Sequence, residues 1–63
     1  MLATQLRKLR EVKGMSQTDL AERAGVTQPY IAALEIGARK NPSLDLLRKL
    51  AKLLTTDVAN LLK

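Results

Sequence analysis

Residues 17–36, QTDLAERAGVTQPYIAALEI, carry the pattern from which the architecture of this chain can be predicted. The first half carries three apolar residues spaced as one helical face: Leu20, Ala21 and Ala24. Gly25 follows them and can take the positive φ that a sharp turn requires. Ile31 and Leu34 lie three residues apart, which indicates the inner face of a second helix. The stretch therefore predicts two short helices joined by a tight turn.

Polar residues mark where these two helices begin. Ser16 with Asp19 three residues later is similar to a capping box, so we expect helix 2 to start at Gln17. The hydroxyl of Thr27 can cap helix 3, which we expect to run from residue 28 to about residue 36.

The composition bounds the class of protein. Sixty-three residues suit one small domain, residues 1–63. Hydrophobic residues are 46% of the chain but aromatic residues only 2%, so the core must come from Leu, Val, Ile and Ala in an all-α fold. The chain has no Cys and no His, which excludes the usual zinc sites, thiol nucleophiles and histidine bases. We expect neither an enzyme nor a bound metal or cofactor.

Charge and hydropathy point to a partner and a compartment. The net charge of +5 favours a polyanion, although small basic proteins often carry such a charge without one. No apolar run is long enough to span a membrane and no signal pattern is present, so cytoplasmic residence is expected.

The flanking sequence predicts three more helices. Helix 1 is expected over about residues 3–13, ending at Gly14, with an inward stripe of Leu2, Leu6, Leu9 and Val12. Helix 4 is expected over about residues 44–54, capped by Ser43, and we expect it to bury Leu44, Leu47, Leu50, Ala51 and Leu54 while Arg48, Lys49 and Lys52 stay solvated. Asp57 opens a short helix 5 whose apolar side is Val58, Leu61 and Leu62.

The pattern resembles the helix-turn-helix of the phage lambda-type repressor and Cro family, with its bacterial relatives of the Xre type. The residues that carry the resemblance are Gln17, Leu20, Ala21, Ala24, Gly25, Val26, Ile31, Leu34 and Glu35. It extends to LRxxR before them (Leu6, Arg7, Arg10) and GxxxNPS after them (Gly37, Asn41, Pro42, Ser43). The resemblance implies a five-helix lambda-repressor-like DNA-binding domain, either a minimal regulator or a domain excised from a larger one.

The resemblance also implies a sequence-specific, repressor-like regulator that lays helix 3 in the major groove of double-stranded DNA; the docking geometry is the family's. The outer face of helix 3 is small and uncharged, which suits close approach to base edges and thymine methyl groups. The expected base contacts are Gln28, Pro29, Ala32 and Ala33, with the amide of Gln28 paired to an adenine. The expected backbone contacts are Gln17, Thr27, Tyr30, Arg39, Lys40, Asn41 and Ser43.

Two further features follow from the family. Its members pair an arginine of helix 1 with a glutamate near the end of helix 3, which here are Arg10 and Glu35; we expect this pair to be structural. Members also meet as dimers near the end of this domain. We therefore expect a weak homodimer formed on DNA through some of Thr55, Thr56, Val58, Leu61 and Leu62.

Two alternatives remain open from the sequence. The same scaffold serves as a protein-protein interaction module in some proteins, and a regulator of this kind can be the antitoxin or autoregulator of a toxin pair. The sequence gives no sign of a small-molecule effector.

Overall fold

The computed structural model describes residues 1–63 and contains five α-helices and no strand. The helices are α1 (Leu2–Val12), α2 (Gln17–Ala24), α3 (Gln28–Glu35), α4 (Leu44–Leu53) and α5 (Val58–Leu61). The predicted all-α class is confirmed. In α1, α3 and α4 the last residue of the predicted range proves to be the C-cap of the helix, and these caps are Lys13, Ile36 and Leu54.

The predicted caps are all present. Asp19 N–H donates to Ser16 Oγ at 2.9 Å while Ser16 N–H donates to Asp19 Oδ2 at 3.0 Å, which completes the capping box of α2. The side chains of Thr27, Ser43 and Asp57 accept the capping bonds of α3, α4 and α5. These bonds are local, because each joins a capping side chain to the backbone N–H three residues on, and they define where each helix begins.

One apolar core joins the helices. Its buried members are Leu6, Leu20, Ala21, Ala24, Ile31, Leu34, Leu47, Leu50, Ala51, Leu54 and Leu61. α3 packs against both α2 and α1, α2 packs against α4, and α5 links α4 back to α1. α3 is therefore held on two sides, and its orientation is fixed by the whole core.

Three predicted apolar positions lie at the surface instead. Val12 is 77% exposed, Leu44 is 53% exposed and Leu62 is 49% exposed. Val12 is the last residue of α1, Leu44 is the first residue of α4, and Leu62 is the residue after α5. The predicted burial of Val12 and Leu44 was wrong, whereas the exposure of Leu62 leaves it free for the dimer contact predicted for it.

The helices are short compared with a membrane span. The longest helix, α1, has 11 residues, and no helix combines the length and apolarity needed to cross a membrane.

Candidate nucleic-acid interface

The outer face of α3 is an uncharged surface. Gln28 and Pro29 are exposed in its first turn, and the next outward residues, Tyr30, Ala32 and Ala33, are half-buried. The only charged residue of α3, Glu35, is buried. The base edges in a groove of DNA could therefore lie close to α3 without meeting a charged side chain.

Two helix N-termini lie beside this face. Thr27 Oγ1 accepts the Tyr30 N–H at 3.3 Å, and Ser43 Oγ accepts the Leu46 N–H at 3.1 Å. Thr27, Tyr30, Ser43 and Leu46 line one open groove of about 500 Å³ between the starts of α3 and α4. Each capping hydroxyl keeps its own proton, and each helix start carries a positive dipole end, so both can meet an anion.

The loop after α3 adds cations on the same side. The Arg39 guanidinium lies over the Tyr30 ring, 5.3 Å from its centroid, and the Arg39 N–H donates to Ala33 O at 3.2 Å. Arg39, Lys40 and Asn41 are all exposed. The stack on Tyr30 restrains Arg39 while leaving its charge in solvent. The sequence predicted both residues as backbone contacts but not their contact with each other.

A buried ion pair lies beneath α3. Arg10 Nε donates to Glu35 Oε2 at 2.7 Å, and Arg10 Nη2 donates to Glu35 Oε1 at 3.1 Å. The two side chains are 11% and 2% exposed, and Arg10 Nη1 also donates to Met15 O at 2.7 Å. The hydrogen bond to Glu35 raises the pKa of Arg10 above its ordinary value, so the guanidinium stays charged. The pair predicted between these residues is present.

Gln17 continues this ion pair towards the surface. Its Nε2 donates to Glu35 Oε1 at 3.0 Å, and its Oε1 accepts from Gln28 Nε2 at 2.8 Å. Gln17 is half-buried, and these two bonds use part of its hydrogen-bonding capacity inside the protein, while one amide N–H remains for the predicted phosphate contact. The partners are 18 and 11 residues away in sequence, and no local pattern could have indicated them.

A second contact was missed at the end of α2. Lys49 was predicted to be solvated, yet its Nζ donates to Ala24 O at 3.4 Å. The carbonyl groups at the end of a helix attract cations, which is the signal that could have found this contact.

The predicted dimer contacts divide into buried and accessible residues. Leu61 is fully buried in the core, so it cannot meet a partner and that prediction was wrong. Thr55 and Leu62 are exposed, while Thr56 and Val58 are half-buried. Leu62 lines a groove of about 250 Å³ that Arg39 and Lys40 also line, so this end of the chain adjoins the basic loop.

The chain is similar to known helix-turn-helix proteins in sequence and in structure. The model of the helix-turn-helix family matches residues 6–61 of the chain. The transcriptional regulator SinR of Bacillus subtilis is 36% identical over 62 residues, covering 98% of this chain and 56% of SinR. The crystal structure of SinR, a master regulator for biofilm formation, in complex with DNA superposes with a TM-score of 0.92 at 35% identity and covers the whole of both chains.

The same fold also occurs inside an enzyme. Hydroxypropylphosphonic acid epoxidase from S. wedmorenis matches with a TM-score of 0.89 at 32% identity, over 95% of this chain but only 31% of that one. This chain also spans about half the length of SinR. The fold alone therefore assigns no activity, and the side chains on its surface must be considered.

Proposed function

The chain belongs to the helix-turn-helix family of Xre and lambda-repressor-like proteins, and from that premise we propose that it is a transcriptional regulator that binds double-stranded DNA sequence-specifically. One observation carries the proposal. The uncharged outer face of α3 is bordered by two capped helix N-termini and by a loop whose Arg39 is stacked in place. SinR, which this chain resembles over its whole length, has been crystallised in complex with DNA, and this supports the proposal.

In the proposed complex, α3 lies in the major groove. Gln28, Pro29, Ala32 and Ala33 face the base edges, with the Gln28 amide on an adenine and the alanine methyl groups near thymine methyl groups. Thr27, Tyr30, Arg39, Lys40, Asn41 and Ser43 hold the backbone, and Gln17 keeps one amide N–H that can reach a phosphate. Phosphate contacts supply most of the affinity and base contacts the specificity.

We further propose that residues 1–63 act as one DNA-binding domain, in the cytoplasm, where the DNA of a bacterium or phage is accessible. Two copies occupy half-sites about 10 base pairs apart, on one face of the duplex. The exposed Thr55 and Leu62, with the half-buried Thr56 and Val58, form the patch through which they meet. A large obligate interface is hard to build from so few surface residues, so the dimer is weak without DNA. No catalytic role is proposed, and the chain has neither His nor Cys, the most common acid-base and thiol groups of active sites.

Selection of bound sites from a randomised duplex library tests the function directly. A two-fold symmetric consensus is expected, and Gln28→Ala should cost about 1–3 kcal/mol at one base position. Failure to enrich any sequence would overturn the proposal, and the protein-interaction alternative would then take its place.

The distance between the two half-sites provides a second test. Adding about half a turn of duplex between them should abolish cooperative binding while leaving binding to one half-site intact.

The backbone contacts have their own test. Arg39→Ala or Lys40→Ala should weaken binding to every sequence and reduce the slope of log K against log salt by about one unit each. Lys8→Ala removes the same charge from the exposed side of α1 and is the matched control. Equal slopes for all three variants would place the loop cations off the DNA.

A further inference from the structure

Four side chains form a continuous hydrogen-bonded path from the core to the outer face of α3. The path runs from Arg10 to Glu35, then to Gln17, then to Gln28, with donor-acceptor distances between 2.7 and 3.1 Å. The Glu35 side chain is 2% exposed, whereas Gln28 is exposed. We propose that the buried carboxylate of Glu35 fixes which way the amide of Gln28 faces and thereby selects adenine over guanine; this rests on the proposed DNA-binding function.

The first step is the polarity of Gln17. A carboxylate paired with a guanidinium can only accept hydrogen bonds. Glu35 accepts from Arg10 through both oxygens, and Arg10 is itself held by its bond to Met15 O. Gln17 must therefore turn its NH₂ group towards Glu35, and this leaves its carbonyl oxygen on the side of Gln28.

The second step passes this polarity to Gln28. An amide carbonyl offers only lone pairs, so Gln28 must present a donor to it, and Nε2 lies 2.8 Å from Gln17 Oε1. Gln28 is then left with one N–H and its own carbonyl oxygen for a base. That pair of groups matches the N7 acceptor and N6 amino donor of adenine, whereas guanine presents two acceptors, N7 and O6.

The reverse polarity would have the opposite consequence. If Gln17 presented an N–H to Gln28, the Gln28 oxygen would be used inside the protein and both of its N–H groups would face the DNA. Two donors suit guanine. Glu35 is therefore a positioning residue for base selection, in addition to its structural bond with Arg10, and Gln17 transmits its effect.

The test compares adenine with guanine at one base pair. The wild-type protein first selects a duplex from a randomised library, and the position whose preference is lost in Gln28→Ala identifies the base that Gln28 reads. Binding is then measured to two duplexes that differ only in having adenine or guanine there. The wild-type ratio should lie at about 5- to 150-fold in favour of adenine.

Two variants change the path differently. In Glu35→Gln the single oxygen stays on Arg10 and an NH₂ group replaces the acceptor for Gln17, so both downstream amides reverse and the ratio should fall to about one or below. In Gln17→Met the restraint on the Gln28 amide is removed but the amide is not forced to reverse. The ratio of adenine to guanine binding should therefore lie between those of the wild-type protein and Glu35→Gln. Because Gln17 is half-buried and uncharged, this variant tests the path even if Glu35→Gln does not fold.

Two controls separate base selection from stability and charge. Leu53→Ala trims a half-buried side chain of α4, and Glu11→Gln makes the same chemical change at an exposed site. Both should keep the wild-type ratio. A wild-type ratio in Gln17→Met, or a base other than adenine at the Gln28 position, overturns the inference while DNA binding stands. If the library yields no bound duplex, the proposed function itself has failed.

Discussion

The helix-turn-helix pair α2–α3 and the C-terminal pair α4–α5 use the same backbone turn with different residues in it. α2 ends with Gly25 at φ 74°, and Val26 N–H donates back to Ala21 O at 3.0 Å. The equivalent bond at the end of α4 is 2.8 Å long, but the left-handed position is occupied by Thr55, at φ 55°. Glycine takes this conformation freely, whereas a β-branched residue is strained in it.

The two pairs also differ in what holds them. α4 and α5 pack through buried apolar side chains, among them Leu50, Leu54 and Leu61. The hydrogen bond that ties α5 to α1, from Gln5 Nε2 to Asn60 O at 3.1 Å, is neutral. α3 has an apolar contact as well, but it is additionally tied to α1 by the ion pair of Arg10 and Glu35. An apolar contact gives stability without direction, while a buried polar contact fixes orientation at some cost in desolvation. The polar contact lies under the helix that we assign to base recognition.

The largest expected effect comes from breaking that pair on one side. Arg10→Met leaves the carboxylate of Glu35 buried without its charge partner, and we expect the free energy of unfolding to fall by about 3–5 kcal/mol. Urea denaturation followed by circular dichroism measures it. Arg10→Met combined with Glu35→Leu removes both charges and should recover most of the loss, because a well-packed apolar pair is often as stable as a buried ion pair.

An exposed ion pair of α1 provides the matched control. Arg7 Nε lies 3.6 Å from Glu11 Oε2, and the two side chains are 65% and 56% exposed. Arg7→Met should cost no more than about 0.5 kcal/mol. Equal losses for Arg7→Met and Arg10→Met would mean that burial adds nothing, and the contrast between the two helix pairs would be wrong.

A smaller loss is expected from the turn of the helix-turn-helix. A methyl group added at Gly25 meets nothing closer than Lys49 Nζ at 3.9 Å, so Gly25→Ala tests the backbone conformation without a steric clash. We expect a cost of about 1–2 kcal/mol in the free energy of unfolding. Gly25→Asn should cost less, because asparagine enters the left-handed region more readily. A cost below the error of the measurement in both variants would show that the turn tolerates side chains.

How far the sequence predicts this molecule depends on how local each feature is. The caps formed by Ser16, Thr27, Ser43 and Asp57 are bonds to the N–H three residues on, and all four were predicted. The family pattern identified the helix-turn-helix and the partners of the ion pair. Thr55 has a positive φ although threonine disfavours that conformation, so its residue type could not indicate the turn.

The polar path shows where the prediction ended. Gln17 and Gln28 were each assigned to DNA, but their contact with each other depends on the angle between α2 and α3, which the core sets. Helical periodicity identifies which face of a helix points inward, but it does not show how much of that face the neighbouring helices cover. The burial of Val12 and Leu44 was wrong for this reason.

The comparison of turns predicts a gain of stability at the C-terminal pair. Thr55→Asn keeps a polar side chain and removes the β-branch that opposes a positive φ, so the free energy of unfolding should rise by about 0.5–1 kcal/mol. The same measurement on Gly25→Asn should show a loss, so one residue type has opposite effects at the two turns. A loss at position 55 would mean that its side chain makes a favourable contact that outweighs the backbone strain.

The smallest effect is expected from acid, and it should separate the starts of α2 and α4. The hydrogen bond from Ser16 N–H to the Asp19 carboxylate lowers the pKa of that carboxyl below its ordinary value. Because the folded pKa is the lower one, the carboxylate stabilises the fold above the pKa of the unfolded chain, and this contribution is lost as the pH falls through the folded pKa. The capping bond at the start of α4 is accepted by the hydroxyl of Ser43, which does not titrate in this range.

Amide hydrogen exchange measured between about pH 5 and about pH 2 should therefore show the Asp19 N–H losing protection relative to the Leu46 N–H, after correction for the intrinsic pH dependence of exchange. In Asp19→Asn the ratio of the two protection factors should stay constant over that range, and a constant ratio in the wild-type protein would mean that the capping box contributes nothing to the start of α2.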